Sequence, residues 1–172
     1  VFEARDAFNS GNPRYEVTLL IPKTDKEQIA KVNRTIKELQ DEYKAEHPKF
    51  NIPTTGAAGE KWNPIKDGDD TAYSDNFGYI MISAYRKEAD GQPLLLDKFK
   101  QPLTKKEQIY SGSWGVPSID AFVYDNNAGK GISFGLNGLQ KVKDDTAFGG
   151  GAGNVEDDFD DESEDGDDPL LQ

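Results

Sequence analysis

Apolar positions change their period several times along this chain, and each change marks an element. Tyr15-Glu16-Val17-Thr18-Leu19-Leu20-Ile21 alternates at first, ends fully apolar and stops at Pro22. Its β-branched and aromatic content predicts a strand. Thr24-Asp25-Lys26-Glu27 then has the spacing of a capping box, with Thr24 as N-cap and Glu27 reaching back. Ile29, Val32, Ile36, Leu39 and Tyr43 follow at intervals of three and four. They form one apolar stripe on a helix of about five turns that ends before Pro48. Lys, Glu, Gln and Asn fill its other face, so the helix is expected to cover the core from outside.

From Pro48 to Asn76 the pattern lapses into a long connection with three prolines and three glycines, and long loops of this kind often carry function. Phe77 to Tyr85 alternates cleanly. Ile80, Ile82 and Ala84 fall on one face, and Phe77, Tyr79, Met81 and Tyr85 on the other. Lys87 to Thr104 predicts a turn and a short strand around Leu94-Leu95-Leu96. Val116 to Tyr124 predicts a further strand, with Gly131 to Leu136 as its hairpin partner and Leu139 to Lys143 as an extension. The link Asp125-Asn126-Asn127-Ala128-Gly129-Lys130 is dense in turn formers. Four or five strands and one prominent helix suit a small barrel such as the OB-fold, although periodicity alone does not separate barrel from sandwich.

Charge divides the chain in two. It carries 20 Lys+Arg against 32 Asp+Glu, for a net −12. Glu156 to Gln172 holds ten acids and no base, so the body to Val155 has 22 acids against 20 bases, a net of −2. Such a body can carry basic patches. Gly149 to Gly153 reads as a flexible linker. The tail beyond it is too charged to fold, and it either simply solvates the chain or docks on partners. Its apolar tip, Pro169-Leu170-Leu171 directly after Asp167-Asp168, favours docking. There are no cysteines, which excludes disulfides and thiolate metal sites and fits a reducing compartment. No apolar run is long enough for a membrane span, and no signal-peptide pattern opens the chain. The chain opens on Val1 rather than Met, so a trimmed product with a shortened or missing N-terminal strand is expected. The single histidine, His47, sits at the helix end, where a surface or capping role is the ordinary one.

Aromatic and basic residues interleave at Lys61-Trp62, Tyr85-Arg86-Lys87, Lys98-Phe99-Lys100 and Lys105-Lys106 with Tyr110 and Trp114. This is the mixture a single-strand binder needs, because bases stack on rings while cations track phosphates. Taken singly, each cluster is better explained as core aromatics beside solvated lysines. The Phe77/Tyr79/Tyr85 stripe says more, because the opposite face of its strand already supplies the core. A helix packed on that stripe is the alternative. Catalytic patterns are poor. Asp67, Asp69 and Asp70 could suggest a divalent metal and a nuclease, but acids at a glycine turn more often form the turn. Gly129-Lys130-Gly131 lacks the rest of a P-loop, and no nucleophile elbow occurs. The expectation is a protein without enzymatic activity, metal or cofactor.

Tyr110-Ser111-Gly112-Ser113-Trp114-Gly115, then Ile119, Phe122 and Tyr124, then Gly131 to Leu136 and Gln140 resemble a phage family, as do Pro13 to Val17, Ile21-Pro22-Lys23 and Lys66 to Asp69. The family is the bacteriophage and prophage single-stranded-DNA-binding proteins, similar to the OB-fold helix-destabilising proteins of podoviruses. The match runs in order over nearly the whole body. It implies a mainly β, OB-fold-like five-stranded barrel over 1–148 with one prominent α-helix. A linker over 149–155 and a disordered acidic tail over 156–172 would complete the chain. It also implies sequence-independent binding of single-stranded DNA in phage DNA replication, recombination and repair, in the cytoplasm of the bacterial host, and a capacity to dimerise. The tail would recruit phage or host replication and recombination proteins and compete with DNA; its tip, Pro-Leu-Leu-Gln, departs from the phenylalanine on which many such tails end. No membrane is involved. The chemistry of the residues selects Trp62, Tyr79, Tyr85 and Trp114 for stacking. Lys61, Lys66, Arg86, Lys87, Lys130, Lys141 and Lys143 would serve phosphates. A non-enzymatic protein-interaction or virion-structural β module, with the aromatic stripe as a subunit interface, is the alternative.

Overall fold

The computed structural model describes residues 1–6, 11–49, 63–126 and 129–148. Its elements are β1 (Arg14–Pro22), α1 (Lys26–Glu46), β2 (Lys66–Asp67), β3 (Tyr79–Lys87), β4 (Leu94–Leu96), β5 (Trp114–Asn126) and β6 (Gly129–Lys143), with single 3₁₀ turns in the connections. One sheet holds all six strands, in the order β1-β3-β6-β4, with β2 on β3 and β5 on β6. β5 runs antiparallel along one edge of β6. The other edge is shared by β3 at Ala84 and Tyr85 and by β4 at Leu94 to Leu96, both parallel. Five strands were expected; the sixth is the two-residue pairing of Lys66 and Asp67 with Met81 and Ile80, too short to leave a period in the sequence.

α1 covers the inner face. Ile36 is buried, and Val32, Leu39 and Tyr43 pack on the cluster of Ile82, Ala84, Ile132, Phe134 and Leu136. The N-cap is Asp25, whose carboxylate accepts from the Gln28 N–H at 3.1 Å, and not Thr24 as the capping-box spacing suggests. Both residues are good caps, and the chain turns one residue later. The helix ends at Glu46, with the His47 N–H bonded to the Tyr43 carbonyl. Phe77, assigned to the aromatic stripe, precedes β3 and is exposed, separated from the strand by Gly78 at φ 82°.

The β5–β6 hairpin is longer than the expected Val116 to Tyr124 and Gly131 to Leu136: it takes in Gly115 and runs on through Gly138 into the expected extension Leu139 to Lys143. Gly138 lets β4 approach: a Cβ there would stand 2.7 Å from the Leu94 carbonyl oxygen. Two register shifts bend the hairpin, between Ser118 and Ile119 and between Trp114 and Gly115. At the first, Asn137 is the extra residue, and at the second Val142 is. The first bulge explains why Leu136 and Leu139, three apart, are both buried. Among the described residues no helix is long and apolar enough to cross a membrane.

Candidate nucleic-acid interface

Register decides which side chains share a face, because directly paired residues point the same way. On β5, Ile119, Ala121 and Val123 turn inward onto the core. Trp114, Val116, Ser118, Asp120, Phe122 and Tyr124 therefore turn outward. Their partners Lys143, Gln140, Gly138, Gly135, Ser133 and Gly131 lie beside them. On β3, buried Ile82 and Ala84 turn inward, and Tyr79, Met81, Ser83 and Tyr85 turn outward. β1 adds Arg14, Glu16 and Leu20, and β2 adds Lys66, opposite Met81. The expected stacking residues Tyr79, Tyr85 and Trp114 thus share the outer face of one sheet, and α1 lies on the other side.

The centre of this face is a shallow groove lined by Tyr85, Arg86, Lys87, Asp90, Phe122, Gly135, Leu136 and Asn137. Tyr85 and Phe122 meet edge to face, with ring centroids 6.2 Å apart. The Arg14 guanidinium lies 4.8 Å from the Tyr85 centroid, a cation–π contact. The Asn137 bulge turns its amide across the hairpin, where it donates to Asp120. Phe122, Arg14 and Asn137 are absent from the residues selected by sequence. Phe122 was legible, since Phe122 and Tyr124 alternate with Ala121 and Val123. Arg14 and Asn137 depend on register and were not.

The basic residues divide. Lys66 and Lys87 are exposed and make no ion pair among the described residues. Arg86 is committed to the backbone: its guanidinium donates to the carbonyls of Asp90, at 2.6 Å, and Gly91, at 2.9 Å. It fixes the turn after β3, which forms one wall of the groove. Lys130 sits at the hairpin tip on the helix side, 2.7 Å from Asp125, which also accepts from the Tyr43 hydroxyl at 2.9 Å. These two contacts, Lys130 first, hold the Asp125 carboxyl below its usual pKa. Lys130 is therefore not brought together with Tyr85 and Trp114. Lys61, Trp62 and the tail residues Asp167, Asp168, Pro169, Leu170 and Leu171 lie outside the described residues.

Trp114 and Lys143 form the far end of the face. Lys141 pairs with Gly115 on the inward register, one position before the Val142 bulge, and its ammonium also donates to the Gln108 carbonyl at 2.6 Å. Trp114 is eight positions from Phe122, about 26 Å at ~3.3 Å per residue. The Lys143 ammonium lies 4.7 Å from the Trp114 ring and that of Lys141 5.2 Å from Tyr110. Asp144 accepts from Lys141 and from the Tyr110 hydroxyl, and Asp145 from the Trp114 indole N–H at 2.6 Å. Both carboxyls are held below the usual range, Asp144 chiefly by Lys141 and Asp145 chiefly by Trp114.

Of Asp67, Asp69 and Asp70, the carboxylates of the nuclease alternative, Asp67 and Asp69 converge on the Lys23 ammonium at 2.6 Å each. A cation of the chain itself stands between them. Among the described residues no group of three or more such ligands is arranged to hold a metal ion. Lys23 depresses both carboxyl pKa values, and they raise its own. The carboxylates thus add stability above their unfolded pKa, near 4, which is lost as pH falls through the lower folded values. The lysine's share is lost as pH rises through its raised value. Lys23→Met should therefore flatten the fall in melting temperature below about pH 4. An acid limb as steep as that of the parent would show that the trio contributes nothing.

The family model described as "Enterobacter phage Enc34, ssDNA-binding protein" matches residues 1–170. The chain belongs to this family. It is 32% identical over 173 residues to "Putative protein p50" of Acyrthosiphon pisum secondary endosymbiont phage 1, covering 99% of this chain and 91% of that one. Among solved structures it is similar to the single-stranded DNA-binding protein from bacteriophage Enc34 in complex with ssDNA. There the TM-score is 0.67 with 28% identity, over 86% of this chain and 81% of that one. Similarity to gp2.5, a single-stranded DNA binding protein encoded by bacteriophage T7, has a TM-score of 0.50 at 17% identity and covers 88% and 85% of the two chains. At that identity it bears on fold alone. The mainly β, one-helix architecture is the OB type of these phage proteins.

Proposed function

We propose that this chain binds single-stranded DNA without base-sequence preference, along the outer sheet face from Tyr85 and Phe122 to Trp114. The observation that carries the reading is the placement of Tyr79, Tyr85, Phe122 and Trp114 on the one sheet face that the helix leaves uncovered. Bases would stack on these rings, while Arg14, Lys66, Lys87, Lys141 and Lys143 flank the path as phosphate partners. Lys61 and Trp62 are assigned to the same path from their chemistry. The activity involves no bond-making step and no cofactor. Membership of a phage single-stranded-DNA-binding family supports a role in phage DNA replication, recombination and repair within the bacterial host.

Titration with a dT oligomer and with duplex DNA across a range of salt tests the reading. Single strands should bind far more tightly, with a log–log salt slope of about −0.7 per phosphate contacted. Duplex that competes equally with single strands would refute it.

The acidic tail is assigned two roles, recruitment of replication or recombination proteins through Pro169-Leu170-Leu171 and competition with DNA. Deleting Glu156 to Gln172 should tighten DNA binding at low ionic strength, where the Debye length is about 30 Å at 0.01 M. The gain should shrink as salt rises. Equal affinity of the two forms in low salt would remove the competitor role.

The alternative of a protein-interaction or virion-structural module has one observation on its side. Leu94 and Val116 are 59% and 58% exposed on the same outer face. Self-association in sedimentation, with no change of tryptophan fluorescence on adding dT oligomer, would favour it.

A further inference from the structure

Beyond β6 the chain folds back on itself. The Phe148 N–H donates to the Ser111 carbonyl at 3.0 Å. Gly112, at φ 104°, lies so close under this segment that a Cβ would stand 2.2 Å from the Thr146 carbonyl oxygen. Residues 144–148 are thus seated on the Tyr110–Trp114 loop. Asp144, Asp145 and Thr146 are exposed and contribute nothing to the core. Their contacts are polar and go to one set of donors. Asp144 takes the Lys141 ammonium at 2.5 Å and the Tyr110 hydroxyl at 2.9 Å, and Asp145 takes the Trp114 indole at 2.6 Å. Two ring–cation pairs therefore carry two successive carboxylates. Carboxylate and phosphate oxygens accept from the same donors, with the same preference for charged ones.

We propose that Asp144 and Asp145 are a built-in occupant of the Trp114 end of the interface, standing where two successive phosphates of bound DNA would sit. The proposal rests on the reading that DNA follows the outer face as far as Trp114. It concerns a folded segment of the body and is separate from any action of the tail. DNA reaching this end must displace the two carboxylates from Lys141, Tyr110 and Trp114. The central groove at Tyr85 and Phe122 is open without that step.

The test is the double variant Asp144→Asn/Asp145→Asn in the full chain. Each amide oxygen can still accept the hydrogen bonds, so the segment keeps its seat while the charge goes. Binding of a long dT oligomer at low salt should tighten about five-fold, the scale of an exposed ion pair. Glu38→Gln/Glu42→Gln, on the exposed side of α1, removes the same charge far from the interface and serves as the reference. In a Trp114→Ala background the gain should largely vanish, since the two changes act on one contact. If the Asn variant only matches the α1 variant while Trp114→Ala still weakens binding, the occupant proposal fails and the DNA path stands. If Trp114→Ala leaves affinity unchanged in a folded protein, DNA does not reach this end and both fail.

Discussion

Tyr85→Ala and Phe122→Ala should each weaken binding of a dT oligomer by about 1–3 kcal/mol, roughly five- to 150-fold, with a much smaller effect on melting. Both rings are on the outer face, away from the cluster that holds the sheet to α1. Tyr85 has Arg14 over its ring and meets Phe122 edge to face. The two contacts fix its plane before a ligand arrives, so a stacking base need not order the ring itself. Because the rings touch, their effects should not add, and a double-mutant cycle should show coupling. Tyr85→Phe should be nearly neutral, since the face and not the hydroxyl does the stacking. Affinity and melting measured on the same samples decide the matter. If both alanine variants stay folded and bind as the parent does, the stacking face lies elsewhere.

What the sequence showed and what it hid divide along local and non-local lines. The stripe from Ile29 to Tyr43 and the alternation from Phe77 to Tyr85 are local periodicities; the helix stands where it was expected, and the strand stands two residues later, at Tyr79–Lys87. The parallel pairing of β3 with β6 joins residues some fifty positions apart, and no period records it. Gly115 and Gly138 fell outside the expected strands, because a glycine that interrupts a strand and one that admits a neighbouring backbone look alike in sequence. The same limit governs the site. Tyr79, Tyr85 and Trp114 could be selected by type, and register then placed them on one face. Nothing near Arg86 announces that its guanidinium holds the carbonyls of Asp90 and Gly91. Nothing near Lys130 announces Tyr43, which comes from the far end of α1 to share its partner Asp125. Phe122 was within reach, because it alternates with Ala121 and Val123, but the faces of its strand were not assigned from sequence.

Leu136→Ala should do the opposite of the aromatic variants. Leu136 is 1% exposed among Ile82, Phe134 and Ile36, yet it also lines the floor of the groove between Tyr85 and Asn137. Truncating a buried leucine costs about 2–5 kcal/mol, the lost burial plus the cavity left behind. In a domain of this size that lowers the melting temperature by roughly 10 °C. The cavity would open inward, toward Ile82 and the helix, because β6 keeps its pairing with β5 and β3 through the backbone. The outward rings would keep their positions, so affinity measured well below the melting transition should change less than for Tyr85→Ala. Calorimetry beside a dT titration separates the two effects. A Leu136→Ala protein that melts like the parent but binds DNA as poorly as Tyr85→Ala would place this leucine in the interface rather than the core, and the division of the sheet into an inner packing face and an outer binding face would be wrong.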